Sequence, residues 1–156
     1  MKTPIYVLLL FWLISCSDPD NDPIVSKIEA TKNGDEWKGR TEIHFDVETD
    51  TLMILGIANE SEEFIVMKIK FVGTGNYTLN SNQALYYSTI GGDVLTSEYK
   101  IDSDGFGEIE VLAYDPDSDA ISGHFEIKLK KDRSVFEDAV EYLHFTNGSF
   151  SGMSSQ

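Results

Sequence analysis

Short apolar runs with a period of two residues make up most of the chain after residue 24. In the clearest run, residues 125–130, every second residue is large and apolar and each residue between is charged. Because successive side chains of a strand point to opposite faces, this pattern predicts a strand with one buried and one solvated face. Similar runs separated by Gly, Asn and Asp predict nine strands, near residues 25–32, 41–49, 52–59, 63–72, 84–90, 94–101, 106–114, 120–130 and 140–146.

The connections between these runs are short, and several contain residues typical of tight turns. Asn33-Gly34 is a favoured hairpin pair, while Gly91-Gly92-Asp93 and Ser103-Asp104-Gly105 each separate two runs and suit further hairpins. Short connections favour antiparallel neighbours, so we expect an all-β fold: an antiparallel meander of about nine strands that forms a β-sandwich or a small β-barrel. One local alternative is a short helix over residues 135–142, because Ser134 and Glu137 have capping-box spacing.

The N-terminal segment has the organisation of a bacterial export signal. Lys2 precedes an uninterrupted apolar run over residues 5–14, which is shorter than the roughly 20 residues that a membrane-spanning helix needs. The run ends in Leu13-Ile14-Ser15-Cys16, which resembles the lipobox of bacterial lipoproteins. This resemblance implies a signal peptide over residues 1–15 and lipidation of Cys16. The alternatives are a plain secretory signal with a free thiol and a short signal anchor.

Cys16 is the only cysteine in the chain, which excludes an internal disulfide and a multi-cysteine zinc site. The residues behind it are polar and acidic and contain two prolines, so we expect an acidic tether over residues 16–23. An acidic stretch in this place resembles the surface-export signal of Bacteroidota lipoproteins. That resemblance implies a protein held by lipid in the outer membrane and facing the cell surface, with the membrane as a partner.

The rest of the chain is long enough for one domain. We expect a single β-domain over residues 24–150 and a flexible C-terminal tail over residues 151–156. The chain carries 27 acidic and 12 basic residues, a formal net charge of −15, which disfavours nucleic acid and anionic membrane surfaces. Cations, basic partners and neutral ligands such as glycans are compatible with this charge, which can also serve solubility alone.

Four short segments form an ordered series along the chain. They are Asn33-Gly34 with Trp37, Gly75-Asn76-Tyr77-Thr78-Leu79, Ile121-Ser122-Gly123-His124-Phe125 and Thr146-Asn147-Gly148-Ser149-Phe150. Together they resemble a family of uncharacterised Bacteroidota lipoproteins that carry a single all-β domain of unknown function. The resemblance implies an all-β lipoprotein and no assigned activity. One departure from the pattern is His124, where Thr or a similar small residue is expected.

The acidic segment 115–119 is the clearest candidate for a metal site. Asp115, Asp117 and Asp119 alternate, and Glu126 is twelfth when Asp115 is first, which is the ligand spacing of a calcium loop. Ala120 stands where such a loop needs Gly, and the flanking runs are strands. The simpler interpretation is an acidic hairpin turn, so we expect no cofactor, with calcium as the alternative.

Two further sets of side chains could contact a ligand. Tyr86 and Tyr87 are neighbours in one strand, so they point to opposite faces, and at least one of them should be exposed and available to a ligand such as a sugar ring. His44, His124 and His144 each precede a Phe and could meet across strands as metal ligands. Separate, solvent-facing imidazoles fit the same spacing.

The sequence contains no catalytic constellation that we recognise. It has no G-x-S-x-G turn, no Walker loop and no dinucleotide fingerprint, and Cys16 is committed to the lipid. We therefore expect no enzymatic activity and no nucleic-acid partner. The sequence favours an outer-membrane or cell-surface lipoprotein that binds a glycan or an envelope protein. The alternative is a structural envelope subunit without a small-molecule site.

Overall fold

Ten β-strands make up most of the chain that the computed structural model describes, residues 25–155. The expected signal peptide, the lipidation of Cys16 and the tether lie outside the described residues. The strands are β1 (Lys27–Lys32), β2 (Asp35–Asp46), β3 (Thr51–Ala58), β4 (Glu63–Lys70), β5 (Gly75–Thr78), β6 (Ala84–Ile90), β7 (Val94–Lys100), β8 (Phe106–Asp115), β9 (Ala120–Ser134) and β10 (Tyr142–Ser155). One 3-10 turn, Asn59–Ser61, connects β3 and β4. No helix within residues 25–155 is long and apolar enough to span a membrane.

The ten strands occupy eight antiparallel positions in the sheet, which we call lines. Two of these lines are interrupted, so that each contains two successive strands. β5 and β6 succeed each other along one line, and β8 and β7 pair with them along the next. β9 then pairs with β8 through its first half and with β7 through its second half. Each line is therefore hydrogen-bonded to its neighbours in chain order, which confirms the expected all-β antiparallel meander.

The last strand joins the first and closes the hydrogen bonding into a ring. β10 pairs with β9 on one side and with β1 on the other, where Lys27 lies opposite Ser151. Beyond the start of β1, the end of β10 reaches β2 in parallel, with Ser154 opposite Ile43. The ten strands thus form one sheet whose pairing is continuous around the molecule, consistent with a β-sandwich or barrel-like fold.

Alternate residues of the strands fill the interior of the ring with apolar side chains. Phe145 is fully buried at its centre and contacts the rings of Trp37 and Tyr86, with centroids 5.5 and 5.7 Å away. Aromatic side chains bury large areas, and the edge-to-face contact of Phe145 with Trp37 adds to the stabilisation. The other fully buried large side chains are Ile28, Leu52, Ile54, Ile65, Met67, Ile69, Ile109, Val111, Ile127 and Leu129.

A partly buried ion pair lies beside this aromatic centre. The Lys32 ammonium is 2.5 Å from a carboxylate oxygen of Glu63, and the Trp37 indole N–H donates to the same oxygen at 2.8 Å. Burial and the adjacent Glu63 carboxylate raise the pKa of the Tyr86 hydroxyl. A partly buried charge needs such partners, because an unpaired one would be costly to remove from water.

The connections alternate between two ends of the ring, as an up-and-down meander requires. What we call the N-terminal end carries Val25, Ser155 and the turns at residues 47–50, 71–74 and 116–119. The opposite end carries the connections at residues 33–34, 59–62, 91–93 and 135–141. At that end the Asn33-Gly34 turn forms as expected, with positive φ at both residues, and the Asn33 side-chain oxygen accepts from the His144 backbone N–H at 2.7 Å.

The helix considered for residues 135–142 does not form. The Val135 N–H donates to the Thr96 carbonyl at 2.8 Å, which continues the pairing of β7 with β9 by one residue. Ser134 Oγ accepts from the Phe136 N–H at 3.0 Å. Val135 and Phe136 are both exposed, so packing against the rest of the domain does not stabilise a helix here. The segment 135–141 is instead a loop between β9 and β10.

Three other features differ from the sequence predictions. β5 is an additional strand, only four residues long and without the alternating apolar pattern. Ser103-Asp104-Gly105 is not a hairpin turn, because β7 and β8 pair with the same side of β9 and the segment only interrupts their common line. Residues 151–155, assigned to a C-terminal tail, extend β10 and pair with β1, β2 and β9.

The aromatic centre allows a direct test of this packing. Replacing fully buried Phe145 with Ala should lower the free energy of unfolding by about 3–5 kcal/mol, because the cavity removes contacts on several strands. Phe136→Ala is the matched control, since Phe136 is 48% exposed, and its cost should stay within about 0.5 kcal/mol. Urea denaturation followed by circular dichroism measures both, and equal costs would contradict the arrangement described.

Candidate functional site

A depression of about 440 Å³ lies on the outer face of β5, β8, β9 and β10. We call it the acidic groove, because three carboxylates line it together with an imidazole, two carboxamides and a hydroxyl. Its outward-facing residues are Asn76, Glu108, Glu110, His124, Glu126, Asn147 and Ser149. A concave surface with a few converging polar groups is the usual form of a ligand site.

The register of the strands brings these side chains into rows across the sheet. Glu110 of β8 lies opposite His124 of β9, which in turn lies opposite Ser149 of β10. In the next row Glu108 lies opposite Glu126. Side chains directly opposite on one face of a sheet approach closely, so the first row joins an acid to an imidazole and the second faces two like charges.

Irregular pairing and close backbone contact shape the floor of the groove. The register of β10 against β9 shifts between Phe145 and Gly148, and Asn147 at this bulge has a φ of 51°. A Cβ atom at Gly148 would lie 2.5 Å from the Phe125 carbonyl oxygen, so only glycine allows this approach. A bulge redirects the neighbouring side chains, and here Asn147 joins the groove.

An exposed aromatic side chain lies beside the groove. Phe106, the first residue of β8, is 40% exposed and contacts His144 edge-to-face, with ring centroids 5.5 Å apart. His144 also lies 3.1 Å from a carboxylate oxygen of Glu126. The ring of Phe106 therefore lies next to the row that contains Glu108 and Glu126, because Phe106 is two residues before Glu108 on β8.

Three of the four segments named in the sequence analysis meet at this groove. Residues 121–125 and 146–150 pair with each other in β9 and β10, and residues 75–79 contain β5, which borders β8. The sequence analysis did not identify Glu108, Glu110 or Asn76 as site residues. The rows depend on register between strands distant in the chain, which the local pattern does not contain.

The acidic turn 115–119 lies at the N-terminal end, apart from Glu126. One oxygen of Asp115 accepts from the Asp117 N–H at 3.0 Å and the other from the Ser118 hydroxyl at 2.6 Å. The Ser118 hydroxyl is the main cause of the lowered pKa of Asp115. Among residues 25–155, no three His, Asp or Glu side chains are arranged to hold a metal ion. Calcium binding by Asp115, Asp117 and Asp119 stays a prediction.

The two adjacent tyrosines lie on opposite faces of β6. Tyr86 is buried in the interior. Tyr87 is half-buried on the outer face, where its ring stacks on Phe64 with centroids 4.6 Å apart. This stacked pair lies on β4 and β6, away from the acidic groove, and one face of each ring is already covered by the other.

Comparison with known proteins adds one relationship. A family model described as "Domain of unknown function (DUF6252)" matches residues 23–153, which include every strand but the last two residues of β10. No curated protein and no solved structure matched the chain. Because the family model spans most of the chain, the protein belongs to the DUF6252 family.

Proposed function

We propose that this protein is a lipid-anchored protein of the outer membrane that faces the cell surface and binds a carbohydrate in the acidic groove without transforming it. The observation that supports this proposal best is that the groove combines polar groups able to hydrogen-bond to sugar hydroxyls with the exposed ring of Phe106 beside it. The interior of the ring is filled by side chains such as Phe145, which favours a ligand site on the outer surface.

The groups of the groove match the chemistry of a sugar. Carboxylates accept hydrogen bonds from hydroxyls, whereas the amides of Asn76 and Asn147 both donate and accept. The apolar face of a sugar ring can pack against an exposed aromatic ring such as Phe106. A negative groove disfavours anionic ligands, so a neutral or amine-bearing carbohydrate is the class that fits best.

The facing carboxylates also support a role beyond folding. Like charges directly opposite in a sheet destabilise the fold, and Glu108 and Glu126 are such a pair in the protein without ligand. His144 offsets the charge of Glu126 only when the imidazole is protonated. A locally unfavourable arrangement within a surface depression is typical of binding sites, where ligand contacts offset it.

The alternative remains a structural envelope subunit without a small-molecule site. It predicts that the groove side chains affect only stability and that no carbohydrate is bound.

Removing the aromatic ring beside the groove should weaken carbohydrate binding. On a glycan array that includes neutral and amino sugars, Phe106→Ala should reduce the affinity for the bound glycans by about tenfold, because the sugar loses its apolar contact. Phe136→Ala, which removes an exposed Phe at the opposite end, serves as the control and should leave affinity unchanged. Glycan binding that is indifferent to Phe106 would contradict the placement of the site beside this ring, and an array without any bound glycan would favour the structural alternative.

Relieving the like-charge pair should stabilise the unliganded fold. Glu108→Gln should raise the midpoint of thermal unfolding by about 1–3 °C at low ionic strength and pH 8, because the repulsion from Glu126 disappears. The gain should shrink at high salt, which screens exposed charges. Glu137→Gln, in the exposed loop before β10, is the control and should not show this gain. A lowered midpoint for Glu108→Gln would contradict the proposed repulsion.

The anchor can be tested independently of the ligand. Cys16→Ala should abolish the incorporation of labelled palmitate and remove the protein from the outer-membrane fraction, since the thiol is the proposed site of lipidation. Ser17→Ala keeps the thiol and should retain both properties. Labelled lipid on the Cys16→Ala protein would refute lipidation at this residue.

A further inference from the structure

We propose that the N-terminal end of the domain is a second membrane contact, which lies against an electrically neutral lipid surface. This inference rests on the proposed lipid anchor at Cys16. It adds a surface of the folded domain that the anchor alone does not require. It would also give the domain one preferred orientation, with the opposite end directed away from the membrane.

The N-terminal end exposes several large aliphatic side chains. Val25, Val47 and Val72 are 62%, 59% and 83% exposed, and each lies at a strand connection or just before β1. Leu112 and Met153, near the ends of β8 and β10, are 50% and 56% exposed. Apolar side chains of this size are stabilised when they leave water, and a lipid interface can accept them.

Hydrogen bonds to side-chain hydroxyls fix the backbone at Val25 and Val72. The Ser151 hydroxyl donates to the Val25 carbonyl at 2.7 Å, and the Val72 N–H donates to the Tyr77 hydroxyl at 3.1 Å. Beside Val72, the Phe71 N–H donates to the Asp50 carbonyl at 2.8 Å and joins two turns of this end. The exposed valines are thus presented on a fixed frame, so docking them requires little further ordering.

The length of chain before Val25 identifies the occupant of this surface. Only residues 17–24 separate Cys16 from Val25, a span of at most about 30 Å when fully extended. A tether this short keeps the domain at an effective concentration on the order of millimolar near the lipid. A small apolar surface that would not hold a free protein on a membrane is sufficient under these conditions.

Charge decides which lipid surface fits. The turns of this end and the strand ends beside them carry six acids, and the bases on the adjoining strands are Lys27, Lys68 and Lys70. The Thr49 hydroxyl lowers the pKa of Asp46, as the Ser118 hydroxyl lowers that of Asp115, so both stay ionised well below neutral pH. Anionic headgroups would be repelled. The six acids are Asp46, Glu48, Asp50, Asp115, Asp117 and Asp119.

The opposite end provides a matched control. Val94 is 59% exposed, the same fraction as Val47, and Val135 is 67% exposed. Both lie at the end from which the tether does not emerge. Because lipidation consumes the only native thiol, a cysteine introduced at any of these valines is the single site for a fluorescent label.

The experiment uses the full-length lipidated protein in phosphatidylcholine vesicles that contain lipids with a quencher on the acyl chain. Val47→Cys and Val72→Cys carry an environment-sensitive fluorophore, and Val94→Cys and Val135→Cys carry the same label as controls. We expect the fluorescence at 47 and 72 to fall by about half or more and the fluorescence at 94 and 135 to stay unchanged. Added phosphatidylglycerol should reduce the quenching at 47 and 72.

Mass spectrometry of the N-terminal peptide separates the two proposals. Lipid on Cys16 with unquenched labels at 47 and 72, or with equal quenching at both ends, would overturn the membrane contact and leave the anchor intact. Quenching that grows with phosphatidylglycerol would overturn the assignment to a neutral surface. Absence of lipid from Cys16 would overturn the anchor and this inference together.

Discussion

The pairing of the last strand with the first is the interaction on which the other features depend. Without the pairing of β10 with β1, the meander of eight lines would have two open edge strands. Open edge strands can pair with other chains and lead to aggregation. β10 pairs with β9 along one edge and with β1 and then β2 along the other, so both of its edges are occupied. Closure also brings Phe145 of β10 into contact with Trp37 and Tyr86, which completes the aromatic centre.

The acidic groove is a product of the same closure. β9 and β10 supply its floor, and their register is set by the close backbone approach at Gly148 and by the bulge that follows Phe145. A one-residue slip of either strand would turn the groove side chains of that strand toward the interior. The facing acids Glu108 and Glu126 are therefore held together by packing on the other face of the strands, not by any attraction of their own.

Much of the fold follows from the sequence, and most of the site does not. Alternation of apolar and charged residues in 125–130 and the Asn33-Gly34 turn predict strands and hairpins directly. β5 was not predicted because its sequence lacks an alternating apolar pattern, and its pairing with β8 makes it a strand. The helix considered over 135–142 had suitable capping residues, but the Val135 N–H donates to a carbonyl of β7 instead. The groove depends on register between distant strands, which no local pattern records.

The position of Val25 just before β1, a strand paired on both sides, has a mechanical consequence. β1 runs away from the N-terminal end between β2 and β10, so a pull on the preceding chain acts along the strand axis. Such a load shears two rows of hydrogen bonds at once, whereas a pull across the strand would open them one after another. A domain held through its N-terminus, as we propose for this one, would thus meet force in its more resistant direction.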